Sequence, residues 1–124
     1  MSKILIVDDE EEIVEMVRFS LVRHGHQVLS ANDGNTAIEI LKKEKPDLII
    51  LDVMLPGIDG YTLQLHISQD LELQNIPVII LTAYHSVEGL FDKFLQVKSF
   101  IAKPFDPEFL SHKVKEMLEK GKDE

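Results

Sequence analysis

The sequence predicts an α/β protein: a doubly wound, five-stranded parallel sheet with five helices. Three runs, Ile4–Val7, Leu48–Leu51 and Val78–Leu81, are short and made of Ile, Val and Leu. Such runs are buried parallel strands rather than half-exposed antiparallel ones. Longer stretches separate them, with apolar residues spaced by three and four, the helical period.

Each element has its own local signal. Strand 1 covers about residues 3–7. Helix 1 follows from near Glu10 to about His24, with Ile13, Met16, Val17 and Leu21 as its stripe. Glu10, Glu11 and Glu12 crowd its first turn, where the helix dipole favours negative charge, and Gly25 is its stop. Strand 2 is short, near Gln27–Ala31. Asn32-Asp33-Gly34-Asn35 is a turn, with Asp33 as cap of helix 2, which runs to about Glu44.

Pro46 precedes strand 3, which ends on Asp52. Met54 to Gly60 is a loop with turn chemistry, and helix 3 spans about Gly60 to Gln69. Pro77 opens strand 4. Ser86 is the expected cap of a fourth helix whose stripe is Val87, Leu90, Phe91, Phe94 and Leu95. Ser99–Ala102 is strand 5. Asp106-Pro107 starts the fifth helix, a capping side chain followed by proline at the first helical position. That helix carries Leu110, Val114, Met117 and Leu118 inward, and the charged tail Lys120–Glu124 is expected to fray.

Composition narrows the function classes. The 124 residues suffice for one domain with a proper core. The absence of cysteine excludes disulfides, thiolate metal sites and cysteine nucleophiles. No apolar run approaches the roughly 20 residues of a membrane span, and the N-terminus lacks a signal peptide's long apolar region. The expectation is a cytoplasmic protein without membrane insertion. With 22 Asp and Glu against 13 Lys and Arg, the net charge is −9. A chain this acidic lacks the basic face that nucleic-acid binding needs, so partners are proteins or cations.

The strand ends carry the chemistry. Strand 1 ends on Asp8-Asp9, strand 3 on Asp52, strand 4 on Thr82, and strand 5 on Lys103 before Pro104-Phe105. In open α/β sheets the ligand crevice lies beyond the carboxyl ends of the strands. Three carboxylates there repel one another unless a cation neutralises them, and Mg²⁺ takes oxygen ligands of this kind. Lys103 then becomes a point charge for phosphate. Taken singly, each residue has an ordinary reading: Asp8 a helix cap, Asp52 the start of a turn, Thr82 a strand residue, Lys103 a solvated edge. A cis bond at Lys103-Pro104 would aim the lysine into the site. His24 and His26 flank Gly25 in a surface turn without further ligands; His85 follows the Thr82 loop, where a solvated loop residue competes with one bordering the site, and His66 and His112 sit within helices with no assigned role.

The chain resembles the receiver domain of two-component response regulators. The matching segments are Ile4 to Glu10, Pro46 to Gly60, Pro77 to Ala83 and Lys103-Pro104-Phe105, in the family's order over nearly the whole chain. The resemblance implies a single receiver domain over 1–124 with the flavodoxin-like strand order 2-1-3-4-5. It implies Asp52 as phosphoacceptor. Asp9 would bind Mg²⁺ directly, Asp8 through water, and the Met54 carbonyl would be a further ligand. Thr82 and the Ala83 amide would bind phosphoryl oxygens and Lys103 the acyl phosphate. Phe100 stands where the family places its switch aromatic, with Thr82 as its coupling residue. Two departures stand out. Val97-Lys98 replaces the small Gly-Ala pair common after the fourth helix, and Phe100 has no hydroxyl.

The implied function is a phosphorylation-dependent switch. A histidine kinase or histidine phosphotransfer protein donates the phosphoryl group, and a downstream protein reads the change. No catalysis is expected beyond Mg²⁺-assisted self-phosphotransfer and autodephosphorylation. The alternative is a receiver-like binding module that is never phosphorylated, against which the complete acidic set argues. A Mg²⁺ phosphohydrolase lacks its aspartate-x-aspartate spacing, since Met54 stands two residues after Asp52. A flavin site is disfavoured by the acidic loop after strand 1.

Overall fold

Hydrogen bonding aligns five parallel strands in the order β2-β1-β3-β4-β5 in the computed structural model, which describes residues 2–123. The strands are β1 (Lys3–Val7), β2 (Gln27–Ala31), β3 (Leu48–Asp52), β4 (Val78–Thr82) and β5 (Val97–Ala102). Four α-helices lie between and after them: α1 (Glu11–Arg23), α2 (Gly34–Glu44), α3 (Gly60–Gln69) and α4 (Pro107–Asp123). This is the flavodoxin-like order. Strand order reverses at β1, which pairs with β2 on one side and β3 on the other.

Alternation along each strand sends side chains to opposite faces. Leu5, Val7, Ile49, Leu51 and Ile80 pack against α2 and α3 residues such as Leu41, Leu63 and Ile67. Ile4, Ile6, Leu48, Ile50, Ile79 and Leu81 pack against Val17 and Leu21 of α1 and Leu110 and Val114 of α4. β3 and β4 are buried at every position, which is why they read as unbroken apolar runs. Met117 and Leu118 lie partly buried on the second layer, as their spacing predicts.

The caps follow the local signals. Asp33 accepts from the Thr36 amide at 2.8 Å and Asp59 from the Thr62 amide at 2.8 Å. Asp106 accepts from the Glu108 amide at 2.9 Å, with Pro107 at the first helical position. Gly25 closes α1 with φ +89°, a left-handed conformation that favours glycine. Among the described residues no helix is long and apolar enough to cross a membrane.

The fourth of the five predicted helices is not α-helical. Between β4 and β5 the chain forms a short 3-10 segment, His85–Phe91, followed by turns. Only part of the expected stripe finds a core: Phe91 and Phe94 are 1% and 7% exposed, whereas Leu90 and Leu95 are 57% and 86% exposed. Ser86 falls inside the segment instead of preceding it, and the side chains of His85, Ser86 and Val87 lie outside the described residues. The Val97-Lys98 pair begins β5. At the C-terminus α4 continues to Asp123, past the start of the expected fraying tail; Glu124 lies outside the described residues.

Candidate functional site

Register brings the chemistry to one sheet edge. Val7 pairs with Leu51, so Asp8 follows β1 beside Asp52 at the end of β3. Thr82 pairs with Ala102, and the Lys103 amide donates to the Thr82 carbonyl at 2.9 Å, placing Lys103 just beyond β5. The Lys103–Pro104 peptide bond is cis. Gly60 lets α3 start against this edge. Its amide donates to the Val53 carbonyl at 2.8 Å, and a Cβ there would fall 2.5 Å from the Asp52 carbonyl oxygen.

The two strand-end carboxylates are buried. Asp52 Oδ1 accepts from the Met54 amide at 3.1 Å, and its Oδ2 lies 3.1 Å from the Lys103 ammonium. Asp8 Oδ1 accepts from the Glu10 amide at 2.9 Å. Asp8 Oδ2 is 2.9 Å from the same ammonium, yet it is buried without a well-directed hydrogen-bond donor. Glu10 supplies a third carboxylate, 3.2 Å from Lys103. One ammonium thus serves three carboxylates.

The electrostatics follow from this imbalance. Burial, and then the charge of Asp8, push the Asp52 carboxyl up to about 6; Lys103 and the Met54 amide pull the other way without cancelling them. Burial works against the charge on Lys103, but its contacts with Asp8 and Asp52 outweigh it and hold the ammonium above the ordinary lysine range.

Asp8, Glu10 and Asp52 each offer one carboxylate oxygen, all within 4.8 Å of one another. All three are hard oxygen donors, their charge exceeds that of Lys103, and buried Asp8 Oδ2 has only the shared Lys103 ammonium beside it. This set fits a divalent cation of the Mg²⁺ type. Asp9 is exposed and is not one of this trio, which includes Glu10. In the sequence Glu10 reads only as one of three first-turn charges. In the fold it is the N-cap position of α1 with no capping side-chain bond, which leaves its carboxylate free to reach Lys103.

The remaining predicted residues differ in burial and partners. Met54 and Ala83 are exposed. Thr82 is buried, and its hydroxyl is engaged with Tyr84: it accepts from the Tyr84 amide at 2.9 Å and donates to the Tyr84 carbonyl at 3.1 Å. Phe100 is half-buried, with its ring edge-on to Phe91 at a centroid distance of 6.0 Å. Two of the histidines are held by carboxylates on the helices. His24 and His112 pair with Glu108 and Glu116, each at 3.1 Å.

A buried acidic pocket at the switch point of a doubly wound sheet, spanned by one lysine from a distant strand, defines the class. The response regulator receiver domain model matches residues 4–115, and the chain belongs to that family. It is 39% identical over 125 residues to the alkaline phosphatase synthesis transcriptional regulatory protein PhoP of Bacillus subtilis, covering 96% of this chain and 49% of that protein. The chain therefore spans about half the length of that relative. It is 33% identical to Protein PilH of Pseudomonas aeruginosa, covering 95% of this chain and 98% of that one. Among solved structures it is similar to the chemotaxis response regulator CheY4 of Vibrio cholerae, with 31% identity, a TM-score of 0.85, and coverage of 94% and 98%.

Proposed function

We propose that this receiver domain is a phosphorylation-dependent switch with Asp52 as its phosphoacceptor. The observation that carries the reading is the buried Asp52 carboxylate, held 3.1 Å from a Lys103 ammonium that it shares with Asp8 at 2.9 Å. With its carboxyl raised to about 6, Asp52 is ionised at neutral pH and can act as a nucleophile. One carboxylate oxygen attacks the phosphorus of a phosphohistidine on a histidine kinase or histidine phosphotransfer protein. The P–N bond breaks, its electron pair stays on the donor imidazole, which takes up a proton, and an acyl phosphate remains on Asp52.

Asp8, Asp52 and Glu10 would hold Mg²⁺, with Asp9 and the Met54 carbonyl added on the family's pattern. A bound Mg²⁺ supplies charge neutralisation for the phosphoryl oxygens as they approach an acidic pocket. Lys103 exchanges carboxylate contacts for the acyl phosphate. Thr82 and the exposed Ala83 amide bind the other phosphoryl oxygens. The same groups account for self-phosphotransfer and autodephosphorylation, the only catalysis we assign. A cytoplasmic setting and a downstream protein partner complete the reading.

Fluorine NMR with beryllofluoride and Mg²⁺ tests it. Bound fluorine signals in the wild type that vanish in Asp52→Ala are expected. No bound signal in the wild type would favour a receiver-like binding module that is never phosphorylated.

A further inference from the structure

Val97-Lys98, which stands in place of the family's small Gly-Ala pair, opens β5 on a bulge. Val97 pairs with Val78 of β4 and Ser99 pairs with Ile79, so Lys98 is an extra residue with no partner opposite it. A regular strand sends consecutive side chains to opposite faces. A bulge breaks that alternation and re-aims a side chain. Lys98 and Ser99, though consecutive, line one and the same cavity of about 580 Å³.

Two further elements close this cavity. α4 contributes Lys113, Met117 and Lys120, which share a helix face at spacings of four and three. The chain before β4 contributes Asn75 and Pro77. The cavity lies at the amino-terminal ends of β4 and β5, whereas Asp52, Thr82 and Lys103 lie at the carboxyl ends of their strands. The five residues of β4 separate the two places by about 16 Å.

The charge of the cavity is opposite to that of the chain. The protein carries a net charge of −9, yet three ammoniums line this cavity against a single carboxylate, Glu116. That carboxylate is itself engaged, with His112 at 3.1 Å and Lys113 at 3.7 Å. Ammonium groups are point charges suited to phosphate, and the Ser99 hydroxyl and Asn75 carboxamide add neutral donors. Met117 and Pro77 supply an apolar wall that a bare phosphate ion would leave unused. The volume is that of a site for a small organic molecule.

We propose that this cavity binds a small organic phosphate, with Lys98, Lys113 and Lys120 around the phosphate group and the body of the ligand against Met117 and Pro77. Lys98 is the determinant particular to this chain, because a small residue in its place would leave the cavity two ammoniums. Binding there does not require phosphorylation of Asp52.

Adenosine monophosphate serves as the probe, titrated into the full chain without Mg²⁺ and followed by amide chemical shifts. The Lys98, Ser99 and Met117 amides should move together on one saturating curve, and added salt should weaken the binding. Lys98→Gln keeps most of the side chain's length and should weaken binding about tenfold. Lys43→Gln, on the exposed side of α2, changes the net charge equally and should leave the affinity unchanged. Adenosine should not bind, and inorganic phosphate should bind at least about tenfold more weakly than the monophosphate. No saturable shift at these amides at millimolar probe, or equal losses in Lys98→Gln and Lys43→Gln, overturns the site. Adenosine binding as tightly as its monophosphate overturns the assignment to a phosphate, and inorganic phosphate binding as tightly overturns the organic body.

Discussion

The ammonium of Lys103 lies 3.1 Å from Asp52 although β4 stands between their strands. The lysine reaches across one whole strand to meet a carboxylate at the switch point. It also touches Asp8 at 2.9 Å, so one cation bridges the two sides of the crevice. This geometry leaves Asp52 ready to ionise near neutrality and leaves the pocket with surplus negative charge.

That surplus has a stability signature. The folded Asp52 carboxyl titrates at about 6, above its ordinary value of 3.8, so the folded state binds the proton more tightly than the unfolded state. Stability is therefore highest at acid pH on this account and is lost as pH rises from about 4 through about 6. In the presence of a chelator, Asp52→Asn removes the penalty and should be more stable than wild type by on the order of 2 kcal/mol at pH 7.5. Urea denaturation should show that gap closing as pH falls to about 4.5. A gap of the same size at both pH values would mean that ionisation of Asp52 is not its source.

Gly60 sets how closely α3 approaches the phosphoacceptor strand. A methyl group there meets the Asp52 carbonyl oxygen at 2.5 Å and Val53 Cα at 2.6 Å, both of them backbone. Gly60→Ala should cost about 1–3 kcal/mol, despite alanine's better helix propensity, because backbone must move. Denaturation midpoints measure this directly, and a stabilised Gly60→Ala would show that the approach is not tight.

The buried glutamine pair should respond asymmetrically. Gln96→Leu strips hydrogen bonds from two backbone carbonyls as well as from Gln64, and should cost about 2–3 kcal/mol. Gln64→Leu removes a side chain whose own oxygen is already without a partner, and should cost about 1 kcal/mol or less. Equal losses in chemical denaturation would remove Gln96 as the anchor of the chain before β5.

Much of the fold was written locally. Each long strand appeared as an apolar run because both faces of β3 and β4 are covered, and Asp33 and Asp106 announced their helices through capping chemistry. Strand order came from resemblance, since composition and periodicity do not say which strands are neighbours. The predicted fourth helix failed because periodicity describes what a helix could bury, whereas Leu90 and Leu95 have no core to meet here. In the site, Asp8, Asp52 and Lys103 come together as strand ends must. Glu10 was hidden among neighbouring glutamates, because only the turn into α1 decides which of them looks back at Lys103.

Intact mass after incubation with acetyl phosphate and Mg²⁺, on wild type and Asp52→Asn, decides whether Asp52 is the phosphoacceptor. The wild type should gain one phosphoryl group, a gain lost on chelation of the metal and absent from Asp52→Asn. A phosphoryl gain that survives in Asp52→Asn, or a wild type that never gains one, would contradict this assignment.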